Sequence, residues 1–125
     1  MNIFFLSMSI KRCAKAHFDK HVIKCILEYC QLLSTAWHAL NPELAAQHLA
    51  NGLIYRKTHV NHPCSIFTRN HISNYNYVVR LGLQLCHEWR YRYQHEKIHG
   101  CEEKLKFLFL NPPHAINKSI NSICQ

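Results

Sequence analysis

The chain has 125 residues, 48% of them apolar, and carries fifteen lysines and arginines against seven aspartates and glutamates, for a net charge of +8 with histidine neutral. That length fits one domain around one core and leaves no room for a second, and it is long enough to fold without a metal or a disulfide. The cationic excess points to a polyanionic partner, the alternative being a generic basic surface that aids solubility.

In chain order, residues 2–6 read as a short extended piece or a buried N-terminal arm. A first long helix is predicted over about 11–40, where Val22, Ile26, Cys30, Leu33 and Trp37 recur at three- and four-residue steps. Asn41-Pro42-Glu43 reads as a cap followed by proline at the first helical position, opening a shorter helix of about 42–50 that Asn51-Gly52 closes. Residues 53–64 are predicted to form a connecting loop in which Pro63 keeps His62 out of helical conformation. Ser73 is the expected cap of a second long helix, about 74–95, and a last amphipathic helix of about 102–110 stops at Asn111-Pro112-Pro113. The expected fold is all-α: a compact single-domain helical bundle over residues 1–125, with two long helices and a tail of about 114–125 that is partly mobile.

Seven cysteines occur with no CxxC pair and no zinc-finger spacing. Cys25, Cys30 and Cys86 fall in apolar periodic stretches and read as small core residues with free thiols, as in a reducing compartment. The N-terminal apolar run lacks a basic lead, and no segment approaches the ~20 apolar residues of a membrane span. A cytoplasmic location, or the interior of an infected cell, is expected, with no membrane partner. Eleven histidines do not in themselves make a metal site, and neither a metal nor a cofactor is expected.

The most informative feature is a stripe on the first helix. His17, His21, Lys24, Glu28, Gln31, Thr35 and His38 follow one another at alternating steps of four and three. At ~100° per residue they fall within one arc about 100° wide. Two readings compete. One is a solvated face with Lys24 and Glu28 as an ordinary i,i+4 pair. The other is the floor of a polar cleft, with Glu28 as the acid/base or electrostatic group and its neighbours binding the ligand. His17 and His21 have metal-like spacing but lack the HExxH pattern.

The loop Tyr55–Cys64 gathers two cations, Arg56 and Lys57, with His59, Asn61 and His62, and Arg69 follows closely. Polar loops of this kind commonly carry function, the alternative being a surface linker. The second long helix ends with Arg90 and Arg92 alternating with Trp89, Tyr91 and Tyr93, a combination suited to phosphates and bases together. The competing reading puts Trp89 and Tyr93 in the core and the arginines in solvent. Glu88 and Arg92 stand at i,i+4 and are expected to pair, and Tyr91 points away from the Trp89–Tyr93 face.

Residues Phe18–Gln31 resemble the first helix of phage pyrimidine-dimer DNA glycosylases of the endonuclease V type. That family carries Asp-x-His, a glutamate seven residues after the histidine and a basic residue three further on; Asp19, His21, Glu28 and Gln31 occupy those places. Asn61-His62-Pro63 resembles an Asn-His-Pro element of bacterial relatives, and Glu88–Arg92 resembles the charged end of their next long helix. The chain is also similar to small phage and large-virus proteins that begin Met-Asn-Ile-Phe. The resemblance covers about residues 1–100. It implies a glycosylase with abasic-site lyase activity, in which the N-terminal amine, here that of Met1, attacks C1′ of the damaged nucleotide. The helix glutamate stabilises the sugar cation and assists proton transfer. An α-amine with pKa about 7.7–8.0 has a useful neutral fraction at neutral pH. The chain departs from the family at Asn2, which hinders methionine removal, and at Leu27 and Gln31, where the family has basic residues.

The expected partner is therefore DNA or a nucleotide ligand. The leading expectation assigns Glu28, Met1 and His21 to catalysis on damaged or modified DNA. His17, Lys24, Gln31, Lys57, His59, Asn61, His62, Arg69, Arg90 and Arg92 are assigned to binding. The alternative is a non-catalytic viral protein that sequesters a nucleotide or cyclic nucleotide on the same scaffold. A third option is a structural basic protein with steeply salt-dependent binding.

Overall fold

The structure, a computed structural model, describes residues 19–93 and 100–119, with side chains from 24 to 91 and from 100 to 119. The expected N-terminal arm, residues 11–18 of the first predicted helix, and positions 120–125 of the tail lie outside the described residues. Five helices are described: α1 (Asp19–Leu40), α2 (Pro42–Ala50), α3 (Pro63–Asn70), α4 (Ile72–Tyr93) and α5 (Glu102–Leu110). The all-α expectation with two long helices is borne out, each of the two running 22 residues.

α1 is the central element and packs against all four of the others. Its apolar positions therefore exceed one stripe. Cys25, Ile26, Tyr29, Cys30, Leu32, Leu33, Ala36 and Trp37 are all buried, as a helix surrounded on most sides requires. They meet Tyr75, Val78, Val79, Leu81, Leu85 and Cys86 of α4 and Leu105 and Leu108 of α5 in one core. Each fully buried side chain of this size contributes about 1.5–3 kcal/mol. Gly82 lets α5 approach α4 closely, since a Cβ there would lie 3.1 Å from a methyl carbon of Leu105.

The helix ends are closed in ways that sequence rules foresee only in part. α2 ends as expected at Asn51-Gly52: Gly52 takes a left-handed φ of 73°. Its N–H donates to the Leu49 carbonyl and that of Leu53 to the His48 carbonyl, the paired closure that satisfies orphan carbonyls. At the other end of α2 the Asn41 side chain makes no cap hydrogen bond. Its Oδ1 instead accepts from the Ala115 N–H.

α3 is a helix where a loop running to residue 64 was expected. Pro63 does keep His62 extended, at φ −65° and ψ 140°, but it also occupies the first helical position, where a missing N–H is harmless. His62 is the cap, its Nδ1 accepting from the Cys64 N–H at 3.1 Å. α4 starts in the same manner. The expected cap Ser73 gives way to His71, whose Nδ1 accepts from the Ser73 N–H at 3.0 Å. Two of the eleven histidines thus serve as helix caps.

α5 stops at Leu110 as expected. The Leu108 carbonyl accepts from the Tyr75 hydroxyl at 2.6 Å, and the Asn111 carbonyl from the Trp37 indole N–H at 2.9 Å. The segment beyond is tied in too. Ile116 is buried, the Ile72 N–H donates to the Asn117 carbonyl, and the His71 ring bonds the Ser119 carbonyl at 2.7 Å.

Cys25, Cys30, Cys64, Cys86 and Cys101 are free thiols. Burial pushes the Cys25 thiol up to about 11 and the Cys86 thiol up to about 12. Cys30 is raised further by its hydrogen bond to Cys101 and by burial. Such thiols are inert core residues.

Candidate active site and nucleic-acid interface

The polar stripe of α1 divides into two halves with different fates. At its C-terminal end Thr35 is fully buried. Its hydroxyl donates to the Thr58 carbonyl and accepts from the Thr58 N–H, both at 3.1 Å. One turn further on, His38 Nε2 lies 2.9 Å from the Tyr55 carbonyl. Beside them, buried Ser34 accepts from the Tyr55 N–H at 3.1 Å and donates to the Cys30 carbonyl. This end of the stripe is neither an exposed face nor an open floor; it is the seam onto which the chain after α2 is sewn.

The middle of the stripe stays open. Lys24 is exposed, and Glu28 and Gln31 are half-buried. The Lys24–Glu28 ion pair expected of an ordinary solvated face is not made. Among the described residues the Glu28 carboxylate has no hydrogen-bond or ion-pair partner. A half-buried carboxylate between a cation and an amide, with no partner among the described residues, is the candidate group to meet a ligand. Leu27, standing where the resembled family has a basic residue, is exposed at 40%.

Thr35, which holds Thr58, stands four residues, about 6 Å along the helix, from Gln31. His59 follows Thr58 with a φ of 50°, a left-handed conformation that histidine tolerates better than most residues. The turn it begins is closed by the His62 N–H donating to the His59 carbonyl at 3.0 Å. Arg69 reaches back from α3 to donate to the Val60 carbonyl. Lys57, His59 and Asn61 are exposed, with no partner among the described residues.

The nominated residues therefore separate. Lys24, Glu28, Gln31, Lys57, His59 and Asn61 have no partner among the described residues. His62 is a cap and Arg69 a loop brace. Arg90 pairs with Glu102, a carboxylate only 5% exposed at the first position of α5, to which Lys106 also approaches at 3.3 Å. Met1 and His17 lie outside the described residues, as do the side chains of His21 and Arg92, and with Arg92 the expected Glu88 pair. Trp89 packs on the core and Tyr91 is 77% exposed, so these two aromatics point apart as expected.

Sequence reasoning counted Arg56 among the cations of the loop but assigned only Lys57 to binding; the Arg56 side chain is exposed beside it. Sequence reasoning missed Ser34, whose role depends on a partner far along the chain. Among the described residues no group of three or more histidine, cysteine or acidic side chains could hold a metal ion.

Comparison with known families supplies the decisive observation: the family described as pyrimidine dimer DNA glycosylase matches residues 1–99. The chain belongs to the pyrimidine dimer DNA glycosylase family. The resemblance read from Asp19, His21, Glu28 and the Asn61-His62-Pro63 element is thereby borne out, and the family points to DNA as substrate. The match takes in α1 to α4 and every nominated residue. α5 lies beyond it, yet Leu105 and Leu108 are core residues and Glu102 holds Arg90. The glycosylase fold of this chain thus includes an element outside the family match. No curated protein and no solved structure matches the chain. No helix among the described residues is long and apolar enough to cross a membrane.

Proposed function

We propose that the protein is a DNA glycosylase with associated abasic-site lyase activity, acting on damaged or modified DNA. Glu28 is the catalytic carboxylate, and the Met1 amine is the nucleophile that displaces the base at C1′ and forms a Schiff base. The observation that carries this reading is the state of Glu28. It is half-buried at the centre of α1, flanked by Lys24 and Gln31, and engaged by no described side chain. A carboxylate so placed can stabilise a sugar cation and move a proton at the same centre. His21, seven residues or almost two full turns before Glu28, belongs to the same face and assists it. Lys24, Gln31, Lys57, His59 and Asn61 hold the strand. Extrusion of the target nucleotide is supported by a cationic surface that grips the backbone on either side.

The test is trapping. The protein is incubated with a duplex carrying one abasic site or one ultraviolet photoproduct, borohydride is added, and adducts are mapped by mass spectrometry. An adduct on the N-terminal amine establishes the Schiff-base lyase. Clean binding of DNA or of a free nucleotide without any adduct replaces the enzyme by the sequestering protein.

A further inference from the structure

Arg56 and Lys57 are two adjacent exposed cations whose backbone is held at both ends. On one side the Tyr55 N–H donates to Ser34 Oγ and the Tyr55 carbonyl is bonded by His38 Nε2. On the other, the Thr58 N–H and carbonyl are both satisfied by Thr35 Oγ1. The Tyr55 ring is pinned as well, its hydroxyl 3.3 Å from Cys101 Sγ and the Lys104 ammonium 4.8 Å from its ring centre. Ser34 and Thr35 are completely buried. Four hydrogen bonds to α1 therefore fix a two-residue span whose own side chains make no hydrogen bond or ion pair among the described residues. Surface cations do not ordinarily need such a mount.

Those cations border a cleft of about 420 Å³ lined by His38, Pro42, Ala46, Leu49, Arg56 and Lys57. Its two sides differ in chemistry. One presents the guanidinium, the ammonium and the imidazole. The other, from α2, is apolar. Because a carbonyl only accepts, His38 Nε2 carries the proton shared with Tyr55, which leaves Nδ1 for a ligand. Glu43, at the start of α2, faces the neighbouring groove with Leu40 and Leu44 rather than this cleft. A wholly hydrated anion has no use for an apolar wall. A nucleotide unit of a DNA strand does, since its phosphate seeks cations while its deoxyribose offers a C–H face.

We propose that this cleft seats one sugar–phosphate unit of the bound DNA, at a fixed distance from the reacting nucleotide. The inference rests on the reading that Glu28 marks that nucleotide. Glu28 and His38 lie ten residues apart on one face of α1, about 15 Å along the helix. With a rise of about 3.4 Å per base pair, the seat falls roughly four pairs from the lesion. The clamp thus converts the length of α1 into a register on the duplex.

The experiment measures affinity by fluorescence anisotropy for duplexes with one stable abasic-site analogue, the arm on either side being lengthened from two to eight base pairs. The wild-type protein gains about tenfold as one arm passes four to five pairs. Arg56→Ala/Lys57→Ala loses that gain, and its plot of log affinity against log salt is shallower by about one. General loss of surface charge lowers affinity at every arm length alike. A uniform loss, or a variant that keeps the step with an unchanged melting temperature, overturns the seat. If the wild-type protein forms the borohydride adduct but shows no step, the seat alone fails. If it binds no duplex at all, the glycosylase reading fails and the seat with it.

Discussion

The Thr35 hydroxyl and the backbone of Thr58 satisfy each other completely, one oxygen donating to the carbonyl and accepting from the N–H at 3.1 Å each. A single buried side chain of α1 therefore decides where the loop of residues 55–62 leaves that helix. Thr35→Val keeps the shape and removes both hydrogen bonds. Thr58 is half-buried, so water replaces part of what is lost and the expected cost is about 1–3 kcal/mol. Thr35→Ser retains the hydroxyl and recovers most of it. Urea unfolding of the two variants checks this; equal stability for valine and serine would show that the seam does not hold the loop.

What periodicity records is which positions are polar, and Thr35 shows why that falls short. It stands in register with Glu28 and Gln31, and only the distant Thr58 makes it a core residue. α1, α4 and α5 were legible from their apolar positions because burial of those positions forms them, and α2 from its Asn41-Pro42 start and Asn51-Gly52 stop. α3 was not. Its sequence PCSIFTRN buries Ser65 and Thr68 rather than a row of large apolar residues, and its leading proline reads equally as a breaker or a starter. The caps His62 and His71 were hidden for a related reason: histidine is not among the usual capping residues. At the site, Glu28, Lys24 and Gln31 were legible because none of them has a partner among the described residues. Arg69 and Arg90 carry the same charge in sequence, but their partners Val60 and Glu102 lie elsewhere in the chain.

Arg90 is expected to act on stability. Glu102 is buried, and its carboxylate meets Arg90 and, at 3.3 Å, Lys106. Arg90→Ala leaves a carboxylate in a mostly dry site with one partner. Breaking a buried pair costs about 3–5 kcal/mol; since the Arg90 side chain is 36% exposed, screening reduces this to about 2 kcal/mol. The double variant Arg90→Ala/Glu102→Ala should lose less than the sum of the two single losses. The slope of DNA affinity against salt should not change in Arg90→Ala. A slope shallower by about one, with stability unaffected, would return Arg90 to the DNA interface.

The buried thiols make the fold sensitive to alkali. Cys25 and Cys86 ionise at about 11 and about 12 in the fold, against an ordinary 9.0. Between those values the unfolded chain releases protons that the folded chain keeps. Their stabilising contribution is complete below pH 9 and is lost as pH rises through 11 to 12. Each thiol in that window lowers stability by about 1.4 kcal/mol per pH unit. Unfolding in urea under reducing conditions at pH 8, 9.5 and 10.5 reads this directly. Cys25→Ala/Cys86→Ala should be less stable at pH 8 and fall less steeply above pH 9; parallel curves would show that these thiols are not what titrates.

Glu28 and Lys24 are one turn apart on the same open face, and the two should separate chemistry from binding. Glu28→Gln keeps size and hydrogen-bonding capacity and removes the charge. Base release and strand scission should fall about 10²- to 10⁴-fold, the range for loss of a positioned acid–base group. Binding of an abasic duplex should hold or tighten, because one negative charge no longer faces a polyanion. Lys24→Ala should do the reverse, weakening the complex and making its salt dependence shallower by about one, with turnover of the bound duplex nearly intact. Rates at saturating protein and affinities from anisotropy give both numbers for each variant. Undiminished turnover in Glu28→Gln removes the carboxylate from the mechanism. A loss of binding without a loss of turnover in that variant would make Glu28 a contact of the strand and move the reaction elsewhere on the face.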